Sequence, residues 1–141
     1  MLNKRGFTLI ELLVVVSIIA ILSIIAIVVY LEMGKGARDA RRKQDLRSLA
    51  AALEIYYQKN NSVYPGSLGS LFPTYIDIVP NDPINTGVWV YTYTPPVGGC
   101  YALMAILEKQ SDPDRNSVKQ YKNCDGTSFA SPDAFVITSS D

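Results

Sequence analysis

Residues 4–31 read KRGFTLIELLVVVSIIAILSIIAIVVYL, and this stretch decides the fold of the chain. The twenty residues from Leu12 to Leu31 carry no charge. As an α-helix rising about 1.5 Å per residue, they would span roughly 30 Å, the thickness of the hydrocarbon core of a bilayer. One carboxylate, Glu11, stands at the start of this run, where an ionisable side chain is costly and points to a functional role. The stretch therefore predicts a membrane-spanning helix with one functional acid.

A short charged leader precedes the apolar run. Lys4 and Arg5 look like the basic start of a secretory signal, but such a signal has an apolar core of only about 7–15 residues and small residues at its cleavage site. Here the apolar core is longer and no such pattern closes it. Gly6 is a small residue directly after the charged pair, and a cut there would remove the charges and keep the helix. We therefore expect cleavage at Gly6.

Residues 4–15, KRGFTLIELLVV, resemble the class III signal peptide of type IV pilins and type II secretion pseudopilins. The resemblance implies that a prepilin peptidase cleaves between Gly6 and Phe7 and methylates the new amino group of Phe7. It also implies that Glu11 pairs with the N-terminal amine of a neighbouring subunit during assembly. The alternative is an ordinary membrane anchor in which the glutamate occurs by chance.

Composition indicates a small domain attached to this helix rather than an enzyme. The chain has 141 residues and a formal net charge of zero, so its overall charge does not attract nucleic acid. It contains no histidine, the commonest general base and metal ligand. No phosphate-binding loop and no nucleophile-elbow motif occurs in it. We therefore expect no catalytic activity.

The helix is predicted to continue well past the apolar run. Leu46, Leu49, Leu53 and Tyr56 recur at spacings of three and four, which is typical of an amphipathic helix. The asparagines at 60–61 are predicted to end it. The expected organisation is a leader peptide at 1–6, a transmembrane or filament-core helix at 7–31, the amphipathic half of the same helix at 32–60, and a globular head at 61–141.

The head is predicted to contain a small antiparallel sheet. Residues 88–94 are β-branched and aromatic with alternation, and residues 100–107 follow a Pro- and Gly-rich stretch that reads as a hairpin loop. The other predicted elements are a short helical turn at 67–72, a third strand around 118–121 and a last strand at 134–138. The predicted fold class is α+β and pilin-like, with one long N-terminal helix packed on the sheet.

Six basic side chains follow the apolar run, and several roles are open to them. They could form a solvated helix face with i,i+4 ion pairs, contact anionic lipid headgroups, or make salt bridges between subunits. Nucleic-acid binding is a further alternative, but no aromatic interleaving supports it. The six residues are Lys35, Arg38, Arg41, Arg42, Lys43 and Arg47.

These basic residues also bear on membrane orientation. Counted by the positive-inside rule, they favour a cytoplasmic C-terminal part. The resemblance implies the opposite, with the N-terminus inside and the head outside. We expect the second orientation, because a cleavable leader with its own peptidase defines it and because paired cysteines favour an oxidising side.

Two cysteines, Cys100 and Cys124, are predicted to form a disulfide, since an even count in an exported domain favours pairing. Closing a loop of about 25 residues would stabilise the fold by roughly 3 kcal/mol. The alternative is two reduced thiols in a reducing compartment.

Four carboxylates near the C-terminus are weak candidates for calcium ligands. They are Asp112, Asp114, Asp125 and Asp133. Some pseudopilins bind calcium near their C-terminal loops, and the resemblance raises the same idea here. The spacing matches no EF-hand, so solvated loop carboxylates are the favoured interpretation. We expect no cofactor.

The main functional hypothesis is a structural subunit of a type IV pilus-like filament or of a type II secretion pseudopilus. Its expected partners are membrane lipid before assembly, the prepilin peptidase, an inner-membrane assembly platform and further copies of the chain in a helical filament. The expected location is a single pass in the cytoplasmic membrane, then an extracellular or periplasmic filament. The alternative is a monomeric, membrane-anchored, adhesin-like binding domain outside the cytoplasm, in which Glu11 would have no role.

Overall fold

The computed structural model describes residues 7–97, 99–115, 131 and 133–139. Within them the chain forms a long helix, a short 3₁₀ helix and three strands, which confirms the α+β prediction. The chain divides between Lys35 and Gly36 into two compact units. The elements are α1 at Leu9–Lys59, the 3₁₀ helix at Leu68–Leu71, β1 at Thr92–Val97, β2 at Cys100–Ile106 and β3 at Ala134–Thr138.

The large apolar side chains that the structure describes in the N-terminal part of α1 are exposed. Among the described residues, α1 is the helix long and apolar enough to cross a membrane, with an 18-residue window of mean hydropathy 3.4. None of that window is buried by the rest of the chain. Large apolar side chains do not remain in water at this density without a partner, so this part of α1 requires another apolar environment.

The two serines of the apolar run satisfy their hydroxyl groups inside the helix. The Ser17 hydroxyl donates to the carbonyl oxygen of Leu13 at 2.8 Å, and the Ser23 hydroxyl donates to that of Ile19 at 2.7 Å. A hydroxyl bonded in this way needs no water. The two serines therefore meet the requirement that polar groups in hydrocarbon find partners within the protein.

The C-terminal end of α1 lies where the asparagines predict it. Asn61 and Ser62 adopt positive φ angles of 53° and 58°, which L-residues other than glycine adopt rarely and which stop the helix. The Ser62 N–H donates to the carbonyl oxygen of Tyr57 at 3.1 Å. The Asn60 side chain donates to the carbonyl oxygen of Tyr56 at 2.8 Å and to the Tyr75 hydroxyl at 2.9 Å. The end of α1 is thereby tied to the segment that follows it.

The head is built on a three-stranded antiparallel sheet in the order β1-β2-β3. Strand β2 pairs with β1 through Tyr93 opposite Leu103, and with β3 through Leu103 opposite Ile137. The core joins the sheet to the amphipathic half of α1, as predicted. Its fully buried leucines on both sides are Leu46, Leu49 and Leu53 on α1, Leu71 on the 3₁₀ helix, and Leu103 on β2.

The first strand differs from its prediction. Residues 88–91 are not part of it, because Trp89 and Thr86 form a tight turn in which the Trp89 N–H donates to the Thr86 carbonyl oxygen at 3.0 Å. Gly87 takes a φ of 59° in that turn. Strand β1 instead includes Pro95 and Pro96, which were expected in the loop. The pairing with β2 is irregular between Thr94 and Val97, so the prolines replace no regular ladder donor.

The other predicted elements of the head agree better with the structure than the first strand does. The short helical turn at 67–72 is confirmed as the 3₁₀ helix, and β2 and β3 match their predictions to within one residue. The third strand predicted around 118–121 lies outside the described residues.

A buried ion cluster, here called the Arg42 cluster, fixes α1 to two other segments of the head. The Arg42 side chain is 0% exposed. Its guanidinium donates to Asp82 at 2.6 and 3.0 Å, to Asp39 at 2.8 Å and to Glu108 at 2.6 Å. It also lies 4.8 Å from the centre of the Trp89 ring. The cluster consists of Arg38, Asp39, Arg42, Asp82 and Glu108.

Asp39 extends the Arg42 cluster to the backbone that follows β2. Its two carboxylate oxygens accept the N–H groups of Glu108 at 3.0 Å and Lys109 at 2.8 Å. Arg38 makes a bidentate contact with Glu108 at 2.7 and 2.6 Å. The prediction of a solvated helix face is thus wrong for Arg42. It holds for Arg41, which is 66% exposed and lies 3.8 Å from Asp45.

Replacing Arg42 by alanine is expected to lower the free energy of unfolding by about 3–5 kcal/mol, since it leaves buried carboxylates without their cation. Arg41→Ala is the matched control and is expected to cost less than about 1 kcal/mol, because the Arg41 pair is exposed. Urea unfolding of the detergent-solubilised full chain, followed by circular dichroism, measures both. Equal losses in the two variants would contradict the role given to the Arg42 cluster.

The Arg42 cluster also predicts the pH dependence of stability. The hydrogen bonds from Arg38 lower the pKa of Glu108, against the opposing effect of burial. Burial would raise the pKa of Asp82, but the Arg42 guanidinium outweighs it and the pKa is lowered. A carboxyl whose pKa is lower in the folded state stabilises the fold above its unfolded pKa of about 4, and this contribution is lost as the pH falls through the folded pKa.

We therefore expect the free energy of unfolding to be level between about pH 7 and 5 and to fall below about pH 4. Urea unfolding across this range measures it. In Glu108→Gln the decline should be shallower, because one of the titrating groups is gone. A decline as steep as in the unchanged protein would show that the Arg42 cluster is not its source.

Candidate functional site

The candidate site is the N-terminal end of α1, where Thr8 and Glu11 bond to each other. The Thr8 N–H and the Thr8 hydroxyl both donate to Glu11 Oε2, each at 2.8 Å. In return the Glu11 N–H donates to Thr8 Oγ1 at 3.2 Å. Thr8 is the residue before the first helical residue, Leu9, and Glu11 is the third helical residue. This arrangement is a capping box, in which the two side chains satisfy free N–H groups of the helix end.

The capping box explains how a carboxylate can stay at the edge of an apolar helix. The N-terminus of a helix carries a partial positive charge that favours an anion. Two hydrogen bonds from Thr8 add to this effect, and both go to the same oxygen, Oε2. Glu11 is therefore positioned by its own helix through Oε2, and Oε1 has no hydrogen-bond partner among the described residues.

The surroundings of Glu11 are apolar and uncovered. Phe7 is 74% exposed and Leu9 is 81% exposed. A shallow apolar depression runs down the helix from the site, and its lining consists of Leu9, Leu12, Leu13, Val16, Ser17 and Ala20. A second apolar surface that covered this face would leave the carboxylate in a medium where an unpaired charge is costly.

Sequence reasoning identified Glu11 but missed its partner Thr8. The signal was present, because a threonine three residues before a glutamate at the start of an apolar run is the sequence form of a capping box. Of the two residues at the predicted cleavage position, Phe7 is described and Gly6 lies outside the described residues.

One of the two predicted disulfide partners lies among the described residues. Cys100 is the first residue of β2, whereas Cys124 lies outside the described residues. The disulfide stays a prediction.

The calcium candidates that the structure describes are bonded to basic side chains. Asp112 and Asp114 both accept hydrogen bonds from Lys43 Nζ, at 2.6 and 2.8 Å. Asp133 accepts from Arg115 Nε at 2.9 Å. Asp125 lies outside the described residues, and in the part of the chain that is described no three His, Cys, Asp or Glu side chains are grouped to hold a metal.

Comparison with known proteins bears on the N-terminal site. A family model described as the prokaryotic N-terminal methylation motif matches residues 1–27. Comparison with curated proteins gives no match, and comparison with solved structures gives none either. The matched segment contains the predicted cleavage position, the capping box and most of the apolar run. The chain carries the prokaryotic N-terminal methylation motif, the class III signal peptide of type IV pilins and pseudopilins.

Proposed function

We propose that the chain is a structural subunit of a type IV pilus-like filament or of a type II secretion pseudopilus. The observation that carries this proposal is the methylation motif at residues 1–27, which includes Glu11 at the start of an exposed apolar helix. The motif is that of a structural class of protein, and the proposed role includes no catalytic step by this chain.

In the proposed processing step, a prepilin peptidase hydrolyses the peptide bond between Gly6 and Phe7. The leader is released, and the new amino group of Phe7 is methylated. Because Phe7 directly precedes Thr8, the new N-terminal cation then lies one residue from the capping box. Phe7 is exposed and its backbone precedes the helix, so the cut would leave α1 intact.

Before assembly, lipid covers the apolar half of α1. The head then lies outside the cytoplasm and the leader inside, as the cleavable signal implies. A charge at the edge of the hydrocarbon is tolerable here because the capping box already supplies Glu11 with donors.

During assembly, the apolar helix leaves the lipid and packs against the helices of neighbouring subunits. The Glu11 oxygen that is not bonded to Thr8 then pairs with the Phe7 amine of a neighbour. An ion pair in an apolar environment contributes little net stability, but leaving one of its charges unpaired is expensive. Registers in which the two groups do not meet are therefore disfavoured. An inner-membrane assembly platform would drive the extraction of the helix from the membrane.

Changing Gly6 to valine is expected to block processing, because a small residue is required at the cut. Mass spectrometry of the membrane fraction should show unprocessed chain for Gly6→Val. The unchanged protein and the leader control Asn3→Ala should show loss of residues 1–6 and one added methyl group. Retention of Met1 in assembled wild-type material would contradict the proposed cleavage.

Changing Glu11 to glutamine is expected to leave insertion and cleavage intact but to reduce filament yield by about tenfold or more, because a buried charge left without its partner is expensive. Glutamine keeps the size of the side chain and removes the charge that the neighbour's amine requires. The matched control is Glu32→Gln, an acid on the same helix whose partner is Lys35 at 2.6 Å. Electron microscopy and immunoblotting of sheared cell-surface material measure the yield.

A change at Thr8 separates positioning from charge. Thr8→Val removes the hydroxyl that orients Glu11 and should reduce filament yield less than Glu11→Gln does, whereas Thr8→Ser should retain the wild-type yield. If Glu11→Gln gave the wild-type filament yield, the result would contradict the role of Glu11 in assembly and favour the anchored monomeric binding domain.

A further inference from the structure

The Lys43 side chain bridges two carboxylates of the turn that follows β2. Its Nζ atom lies 2.6 Å from Asp112 Oδ1 and 2.8 Å from Asp114 Oδ2. Lys43 and Asp112 are 14% and 13% exposed, so their contact is largely withdrawn from solvent, whereas Asp114 is 44% exposed. The Phe135 ring of β3 lies 6.0 Å from the ammonium group. Lys43 thus reaches from α1 to a turn that is 69 residues away in the sequence.

The turn itself is arranged around the same carboxylate oxygen. Asp112 Oδ1 accepts the Asp114 N–H at 2.9 Å in addition to the Lys43 ammonium. The Arg115 N–H donates to the Asp112 carbonyl oxygen at 3.2 Å. Two acids separated by one residue therefore direct oxygens at one cation, which is how a loop presents ligands to a hard metal ion.

Calcium does not fit the described carboxylates while Lys43 is in place. Calcium takes about 6–8 oxygen ligands at about 2.3–2.6 Å, so it would have to share the two carboxylates with an ammonium group of like charge. The third candidate, Asp133, faces the Arg115 guanidinium, which also donates to the Glu108 carbonyl oxygen at 3.3 Å. One oxygen of each of these three carboxylates therefore already faces a side-chain cation.

We infer that Lys43 is the built-in cation of the Asp112–Asp114 turn and takes the place of a bound calcium ion. The charge is maintained in the folded state: burial opposes it, but the two carboxylates outweigh burial and raise the pKa of Lys43. Burial acts to raise the pKa of the Asp112 carboxyl, but the Lys43 ammonium outweighs burial and the pKa is lowered. Because the cation is covalently part of α1, the turn is held whatever the calcium concentration outside the cell.

The test is thermal unfolding of the detergent-solubilised full chain, in millimolar calcium chloride and in excess EGTA. The unchanged protein should have the same Tm in both. Lys43→Ala should lower the Tm by about 4–8 °C in EGTA. Millimolar calcium should restore part of this loss, because the two carboxylates then lack a cation. Lys43→Arg should retain the wild-type Tm in both buffers.

Two controls assign the effect to the turn. Arg47→Ala removes another cation that lies 6.0 Å from the same Phe135 ring, and it should change neither the Tm nor the response to calcium. The double variant Lys43→Ala/Asp114→Asn should lose the calcium response. The inference is overturned if calcium raises the Tm of the unchanged protein, if Lys43→Ala unfolds like the unchanged protein, or if calcium fails to raise the Tm of Lys43→Ala.

Discussion

The uncharged run from Leu12 to Leu31 constrains the rest of this chain, because a helix that is apolar on all sides cannot stay in water. None of its 18-residue apolar window is buried. The serine hydroxyls within it bond to the helix itself, and the acid at its start bonds to Thr8. The two serines and the acid at its start are therefore compatible with a medium that contains no water. In the proposed function, the covering surface comes from lipid or from another protein chain.

The C-terminal part of the same helix is constrained by its contacts with the head. Beyond Gly36 its side chains face a sheet and two loops, and the Arg42 cluster determines which residues meet. A buried ion pair is weak evidence for stability, yet the loss of one partner is expensive. Arg42 contacts acids on α1, on the segment before β1 and after β2, so a shift of α1 by one turn would leave several charges unpaired. Lys43 extends this arrangement to the Asp112–Asp114 turn.

Local patterns predicted the long helix, β2 and β3, since apolar periodicity and bounding turns act within a few residues. They predicted β1 only in part, because residues 88–91 have strand-like composition but Trp89 closes a tight turn with Thr86 and lies against Arg42. The burial of Arg42 could not be read from helical spacing, as its partners Asp82 and Glu108 are 40 and 66 residues away.

At the candidate sites too, contacts between residues close in the sequence could be predicted and long-range contacts could not. Glu11 stands out as a charge in an apolar run, and its bond to Thr8 follows from a spacing of three residues. Asp112 and Asp114 were two of four weak calcium candidates, with solvated loop carboxylates as the favoured interpretation. Their bonds to Lys43 were not predicted, because Lys43 reaches them only through the packing of α1 on the head.

The pairing of Glu11 with a neighbour's N-terminus is the central claim, and an electron cryomicroscopy structure of filaments made from the unchanged chain tests it most directly. The account predicts an N···O distance within about 4 Å between the Phe7 amine of one subunit and a Glu11 carboxylate oxygen of the next, the range of an ion pair. It also predicts that the bond from Thr8 to the other oxygen persists. Filaments in which Glu11 bonds only to its own Thr8, with the neighbour's amine elsewhere, would contradict it.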